Sequence, residues 1–172
     1  AAWAAIALLR NSLDRPTTVS AFQPELKDVS NEANRFSGRF EGDSRIPGLM
    51  ADLAARWLAA GDHQLALDYG SRVLTAPTAS PAERYAAWQV MARIRQEKGD
   101  YGLAERAWGQ ALNLAESERL ANVTEEQVSA IRKQLATSVY RQAELAVSSG
   151  RLGEAVGHFR RVDSVLPGSD VS

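Results

Sequence analysis

Three stretches of the chain repeat one pattern around a glycine. In each copy a small residue lies seven positions before the glycine, and an alanine lies five positions after it. The glycines are Gly61, Gly99 and Gly150, the small residues are Ala54, Ala92 and Ala143, and the later alanines are Ala66, Ala104 and Ala155. A glycine can close a helix in the left-handed conformation, and small side chains let two antiparallel helices approach closely. The pattern therefore predicts helical hairpins that stack on one another, because one hairpin alone cannot bury its apolar face.

Helix signals also dominate between and around these copies. Prolines and glycines separate segments of about 12 to 25 residues with helical periodicity, and no Asn-Gly or Asp-Gly turn separates two alternating apolar runs. Asp62 and Asp100 follow two of the glycines, where a carboxylate can cap the next helix. Bulky residues are expected to fill the space between neighbouring hairpins, and these are Trp57, Trp88, Trp108 and Phe159. The sequence predicts an all-α protein.

The second copy carries the most complete motif. Its residues are Trp88, Ala92, Gly99, Asp100, Tyr101, Ala104, Trp108 and Ala111. This series resembles the tetratricopeptide repeat (TPR) family, which has aromatic, small and Gly-Asp-Tyr residues at the corresponding places. The resemblance implies a right-handed α-solenoid of antiparallel helical hairpins. It divides the chain into TPR-like repeats at residues 46–78, 81–116 and 117–167, the last with an extended first helix.

The spacing of the copies departs from the family period of about 34 residues. Gly99 lies 38 residues after Gly61, and Gly150 lies 51 residues after Gly99. In the longer interval, residues 124–127 form a Thr-Glu-Glu-Gln capping box, and the apolar positions that follow it are Val128, Ile131, Leu135, Val139 and Leu145. We expect a helix of about 25 residues, near 37 Å long, over residues 124–148. An alternative role follows from it, that of a structural or oligomerisation module that packs through this helix.

The two ends of the chain carry weaker repeat features. Residues 1–45 are predicted to be a degenerate repeat with helices over residues 1–13 and 25–42. Nine apolar residues precede Arg10, fewer than half of the roughly 20 needed to span a bilayer, so no transmembrane segment is expected. The segments 36–47 and 165–171 are similar to inter-repeat turns of TPR proteins in bacterial envelope assembly. That similarity predicts a loop tail at residues 168–172 and a further repeat after Ser172.

Composition and motifs argue against several classes of chemistry. The absence of cysteine excludes disulfides, thiolate zinc sites and cysteine nucleophiles. Twenty basic and 21 acidic residues give a net charge of −1, which argues against a nucleic-acid-binding protein. The two histidines, His63 and His158, lack metal-ligand spacing, and phosphate-loop and nucleophile motifs are missing. We therefore expect no enzyme activity, no metal site and no cofactor.

The TPR resemblance also implies a binding surface, because the first helices of successive hairpins line a concave groove in that family. Carried over by alignment, the protein-binding positions are Gln89, Arg93, Gln96, Tyr140, Glu144 and Val147. The matching positions of the first copy, which predict a smooth apolar end, are Gly48, Ala51, Ala55 and Leu58. Such a groove suits an amphipathic helix or an extended peptide. We expect a non-catalytic scaffold whose partner is a protein or peptide.

The similarity of the turns to those of envelope proteins also bears on location. It places the chain in bacterial envelope assembly or export, in the periplasm or at the outer membrane. A cytoplasmic scaffold would have much the same composition, so that alternative stays open. Homo-oligomers are compatible with either compartment.

Overall fold

The chain is helical throughout the part that the structure describes, which comprises residues 2–14, 25–118, 120 and 123–166 in a computed structural model. Within these residues there are eight α-helices and no strand. They are α1 (Ala2–Leu13), α2 (Leu26–Arg39), α3 (Ile46–Ala59), α4 (His63–Thr75), α5 (Pro81–Glu97), α6 (Tyr101–Ser117), α7 (Glu125–Ser148) and α8 (Leu152–Val165). The predicted all-α class is confirmed. The predicted tail at 168–172 lies outside the described residues.

Helix packing divides the chain into two compact units, the first ending at Ala79 and the second beginning at Ser80. In the first unit, α3 and α4 pair through a short turn, and α2 packs against both α1 and α3. In the second unit, α5 pairs with α6 and α7 pairs with α8, while α6 also packs against α7. The second unit therefore contains two successive helical hairpins in contact.

Left-handed glycines end α3, α5 and α7, as the repeat pattern predicts. The backbone φ angle is 80° at Gly61, 77° at Gly99 and 73° at Gly150, a region in which a Cβ atom carries a steric penalty. Gly42, which lies outside the repeat pattern, has a φ of 81° between α2 and α3. Each of these turns therefore depends on a residue that can adopt positive φ.

The two aspartates expected to cap helices behave differently. The carboxylate of Asp62 accepts a hydrogen bond from the Leu65 backbone N–H at 3.0 Å, which caps α4 as predicted. Asp100 accepts no such bond at the start of α6, so its predicted capping role is wrong. Its carboxylate instead pairs with Arg95 at 3.3 Å. The first copy has Trp57 at the position of Arg95, and Asp62 forms no ion pair with a residue that the structure describes.

The recurring alanines lie where helices touch. All six are buried, and they are Ala54, Ala66, Ala92, Ala104, Ala143 and Ala155. Among the bulky residues expected between hairpins, Trp108 is only 2% exposed, whereas Phe159 is 38% exposed at the matching position of α8. The prediction for Phe159 was therefore wrong, because within the described residues no helix covers that side of α8 as α7 covers α6.

The expected long helix is present as α7, which has 24 residues. At about 1.5 Å per residue it is about 36 Å long. Thr124 and Gln127 form the capping box, since each side chain accepts a hydrogen bond from the backbone N–H of the other residue. Four of the five predicted apolar positions are buried, but Leu145 is 48% exposed and does not belong to the core.

In the first unit, α1 and α2 meet through aromatic side chains. The rings of Trp3 and Phe36 lie 5.6 Å apart, and the Arg45 guanidinium lies 4.7 Å from the centre of the Trp3 ring. The observed helices agree with the predicted ones, except that α2 ends at Arg39 rather than at residue 42. These contacts provide the packing that a short terminal helix requires for stability.

Candidate functional site

Three of the predicted protein-binding residues lie on one face of α5. Gln89, Arg93 and Gln96 are separated by four and three positions, a spacing that aligns side chains on a helix. Together with residues of α7 they line a cavity of about 460 Å³. We call this the polar cavity, and its other lining residues are Glu97, Trp108, Gln127, Ala130, Ile131 and Gln134.

A chain of hydrogen bonds holds one wall of the polar cavity. The buried indole N–H of Trp108 donates to the Gln96 side-chain oxygen at 2.9 Å. The Gln96 amide nitrogen in turn donates to the side-chain oxygen of Gln134 at 3.0 Å. These bonds join α5, α6 and α7 and satisfy an indole that would otherwise be buried without a partner. Gln96 is thus a residue that positions the wall, in addition to lining the cavity.

Arg93 is the available cation of the polar cavity. Its side chain is exposed, and it forms no hydrogen bond or ion pair with any residue in the described ranges. The glutamine side chains around it can donate and accept hydrogen bonds, whereas a guanidinium only donates. The cavity can therefore accept a carboxylate at Arg93 and peptide groups at the amides.

Two further predicted residues line a second cavity between α7 and α8, which we call the apolar cavity. Its volume is about 490 Å³, and it contains Tyr140 and Glu144 beside Ala136, Val162 and Leu166. The Tyr140 and Phe159 rings meet edge to face with centres 5.7 Å apart. This cavity provides mainly apolar contacts, so its chemistry differs from that of the polar cavity.

Glu144 is already engaged within its own helix. Its carboxylate accepts a hydrogen bond from Arg141 at 2.7 Å, and this bond raises the pKa of the Arg141 guanidinium. The last predicted residue, Val147, is exposed but lines neither cavity. The structure therefore places five of the six predicted residues in two cavities of the second unit, and the sixth outside both.

Of the four positions that predict a smooth apolar end in the first copy, three are at least partly accessible. Ala51 is buried in the first unit, so it contributes to packing and not to a surface. Ala55 is exposed, and Gly48 and Leu58 are half-buried. The four positions are three or four residues apart and therefore share one face of α3, on which packing within the first unit covers Ala51.

Sequence reasoning missed the α7 wall of the polar cavity. Gln127 and Ala130 belong to the segment that lengthens α7, for which the helix α5 of the preceding copy has no counterpart, and Gln134 matches Glu83 of α5. The only available signal was helical periodicity, since Gln127 and Gln134 lie seven residues apart and therefore on one face. Periodicity alone does not reveal which helix packs against this face of α7.

The histidines lie apart from both cavities. His63 begins α4, and the His158 ring lies 3.3 Å from the Arg161 guanidinium on α8. Among the residues that the structure describes, no group of three or more histidine, aspartate or glutamate side chains could hold a metal ion. The helices of the same ranges include none with the length and hydropathy of a membrane span.

Comparison with known proteins identifies no relative, because no protein-family model, curated protein or solved structure matches the chain. A functional assignment must therefore come from the two cavities and from the helices that form them. The polar cavity is the stronger candidate, since it combines several amide groups with a cation that has no partner among the described residues.

Proposed function

We propose that this protein is a non-catalytic scaffold of the TPR type that binds a protein or peptide partner. In this proposal successive hairpins stack into a right-handed solenoid, and the first helices of the hairpins form the binding surface. The support is the threefold glycine and alanine pattern, together with the left-handed φ angles at all three glycines. The contact between α6 and α7 adds to it, since stacking of hairpins needs such a contact.

The observation that carries the proposal is Arg93 in the polar cavity, which pairs with no residue in the described part of the chain. A volume of about 460 Å³ accommodates several side chains of a bound segment. A carboxylate of the partner would form a charge-assisted hydrogen bond with Arg93, which is stronger than a bond between neutral groups. Gln89 and Gln127 would pair with the partner's backbone. Because Glu97 also lines the cavity, we propose that the bound segment presents one acidic residue to Arg93.

The cellular setting is proposed on the turn segments alone. Residues 36–47 are similar to the inter-repeat turns of TPR proteins in bacterial envelope assembly, which favours a role in envelope assembly or export. The corresponding location is the periplasm or the outer membrane, with the cytoplasm as the alternative. Fractionation of the native cells with an antibody against this chain distinguishes these compartments.

Peptide selection tests the binding surface. We expect a random peptide library displayed on phage to yield peptides that contain an acidic residue and bind the full chain. Arg93→Glu is expected to weaken them by about tenfold or more, because it replaces attraction by repulsion at the only unpaired cation of the polar cavity in the described residues. Isothermal titration calorimetry of the selected peptides measures the change.

The matched control is Arg106→Glu, a charge reversal at an exposed arginine of α6 that does not line the polar cavity. It should leave affinity within about twofold of the starting value at moderate ionic strength. Equal losses in the two variants would mean that only overall charge matters. No loss in Arg93→Glu would rule out the polar cavity as the binding surface.

A second candidate function is self-association through α7, favoured by apolar side chains that this helix leaves in solvent. Leu145 is 48% exposed and, with the exposed Leu103 of α6, lines a shallow cavity of about 380 Å³. If a second copy covers these residues, sedimentation velocity shows a dimer that Leu145→Glu dissociates. A chain that stays monomeric at about 100 µM contradicts this candidate, since specific dimers of functional strength form well below that concentration.

A further inference from the structure

One side of α8 carries an apolar stripe that faces solvent. Its residues are Leu152, Val156 and Phe159, separated by four and three positions and therefore on one face. They are 63%, 50% and 38% exposed, respectively. Three large apolar side chains aligned on one exposed helix face are unusual for a surface without a partner.

The same three positions are covered in the preceding hairpin. Alignment of Gly150 with Gly99 matches the stripe to Tyr101, Glu105 and Trp108 of α6. There, Gln142 of α7 donates to the Glu105 carboxylate at 2.7 Å and lies 3.5 Å from the Tyr101 carbonyl oxygen. Trp108 is almost completely buried. The stripe on α8 therefore corresponds to the positions of α6 that α7 contacts.

The residues of the apolar cavity likewise match residues that are buried in the preceding hairpin. Its residues Ala136, Val162 and Leu166 match Tyr85, Ala111 and Ala115 of the preceding hairpin. Those three belong to one buried cluster with the apolar residues of α7, which are Val128, Ile131 and Leu135. The stripe and the apolar cavity together are therefore equivalent, by alignment, to the surface of the preceding hairpin on which α7 packs.

We infer that this surface, formed by the α8 stripe and the apolar cavity and here called the α8 docking face, binds an amphipathic helix of a partner protein. The bound helix lies on α8 as α7 lies on α6, so the docking continues the α6–α7 interface. Contacts from the Val128 to the Gln142 position require about 15 residues, or about 22 Å of helix. The inference does not depend on peptide binding at the polar cavity.

The side chains of the α8 docking face specify the chemistry of the bound helix. Its apolar residues follow the spacing of Val128, Ile131 and Leu135, because the receiving positions are equivalent. Where α7 presents Gln142 to Glu105, the bound helix presents an apolar residue, because α8 has Val156 in place of Glu105. A polar amide there would lose its partner on burial.

Charge at the rim of the face favours an acidic flank on the bound helix. Lys133 and Arg141 line the apolar cavity, and Glu144, the one carboxylate among the described lining residues, is bonded to Arg141. The Lys133 ammonium has no carboxylate partner within the described ranges. Complementary charges steer association and select the partner. A second copy fits less well, since an antiparallel α8 pair would set Asp163 against Leu152.

A peptide derived from this chain is the probe for the test. It spans residues 124–144 with Gln142→Leu and carries a fluorescent label, so that it copies the helix that occupies the equivalent surface. We expect saturable binding to the full 172-residue chain by fluorescence anisotropy. Val156→Glu and Phe159→Glu in the chain should each weaken binding by about tenfold or more, since each places a carboxylate in the apolar contact.

Further substitutions separate apolar contact from charge. Ile131→Glu in the peptide should also weaken binding by about tenfold, and Lys133→Glu in the chain by about threefold, with the latter effect reduced at high salt. Leu8→Glu, at an exposed leucine of α1, and Lys98→Glu, at an exposed lysine after α5, are the matched controls and should change nothing. Arg93→Glu should leave this peptide bound, which separates the docking face from the polar cavity.

Three results would overturn the inference. The first is no saturable binding up to about 1 mM peptide, the weak limit for a specific site. The second is binding that Val156→Glu and Phe159→Glu leave unchanged while circular dichroism shows both variants folded. The third is concentration-dependent self-association of the chain that Phe159→Glu abolishes, which would make a second copy the occupant.

Discussion

Replacing Trp108 by alanine is expected to lower the free energy of unfolding of the second unit by about 3–5 kcal/mol. Trp108 is 2% exposed and packs in one cluster with Ala104, Ile131 and Leu135. Removal of the indole leaves a large cavity between α6 and α7. It also deprives Gln96 of the N–H that donates at 2.9 Å. Urea denaturation followed by circular dichroism measures the loss, and hydrogen exchange of α5–α8 peptides assigns it to this unit.

Phe159→Ala provides the matched control, because it truncates an aromatic residue at the same repeat position. Phe159 is 38% exposed and meets Tyr140 through one ring edge. Its loss is expected to cost about 1 kcal/mol in the isolated chain. Equal destabilisation by the two variants would contradict the assignment of Trp108 to the interface between hairpins and of Phe159 to the surface.

Enlarging Ala104 to leucine is expected to destabilise the second unit by about 1–3 kcal/mol. Ala104 is completely buried among Ala92, Ala107 and Trp108, where the two helices of the hairpin meet. The additional isopropyl group would force α5 and α6 apart or displace neighbouring side chains. Thermal and urea unfolding of the variant measure the effect.

Ala130→Leu makes the same substitution on an exposed face of α7 and serves as the control. Alanine and leucine have similar helix propensities, so the expected change is within about 0.5 kcal/mol. The difference between the two variants isolates the steric requirement at the helix contact. If Ala104→Leu were as stable as Ala130→Leu, close approach of the helices would not be the reason why the repeat has small residues at these positions.

The local features of the fold were predictable because they depend on few neighbours. The helix ends at Gly61, Gly99 and Gly150 require only a backbone that tolerates positive φ, and the structure confirms all three. The capping box at Thr124 and Gln127 likewise involves residues three positions apart. The predicted helices therefore agree with the observed ones over most of the described chain.

The candidate site was only partly predictable. Gln89, Arg93 and Gln96 were found because they share a face of one helix within an aligned repeat. Their neighbours Gln127 and Gln134 were missed because their place depends on how α7 crosses α5. Glu144 was identified as a contact residue, yet its carboxylate is bonded to Arg141, a partner that alignment to a repeat does not reveal.

The sequence by itself determined where helices end and where they touch, since glycine conformation and alanine size are properties of single residues. Only the tertiary structure decided which equivalent positions of the repeat differ in burial and in their hydrogen-bond or ion-pair partners. Trp108 is buried and Phe159 is exposed because α7 covers one hairpin and no described helix covers the next. Asp62 caps a helix, whereas Asp100 pairs with Arg95, because a cation reaches only one of them. Burial and pairing depend on neighbours distant in sequence, which a repeat pattern leaves unspecified.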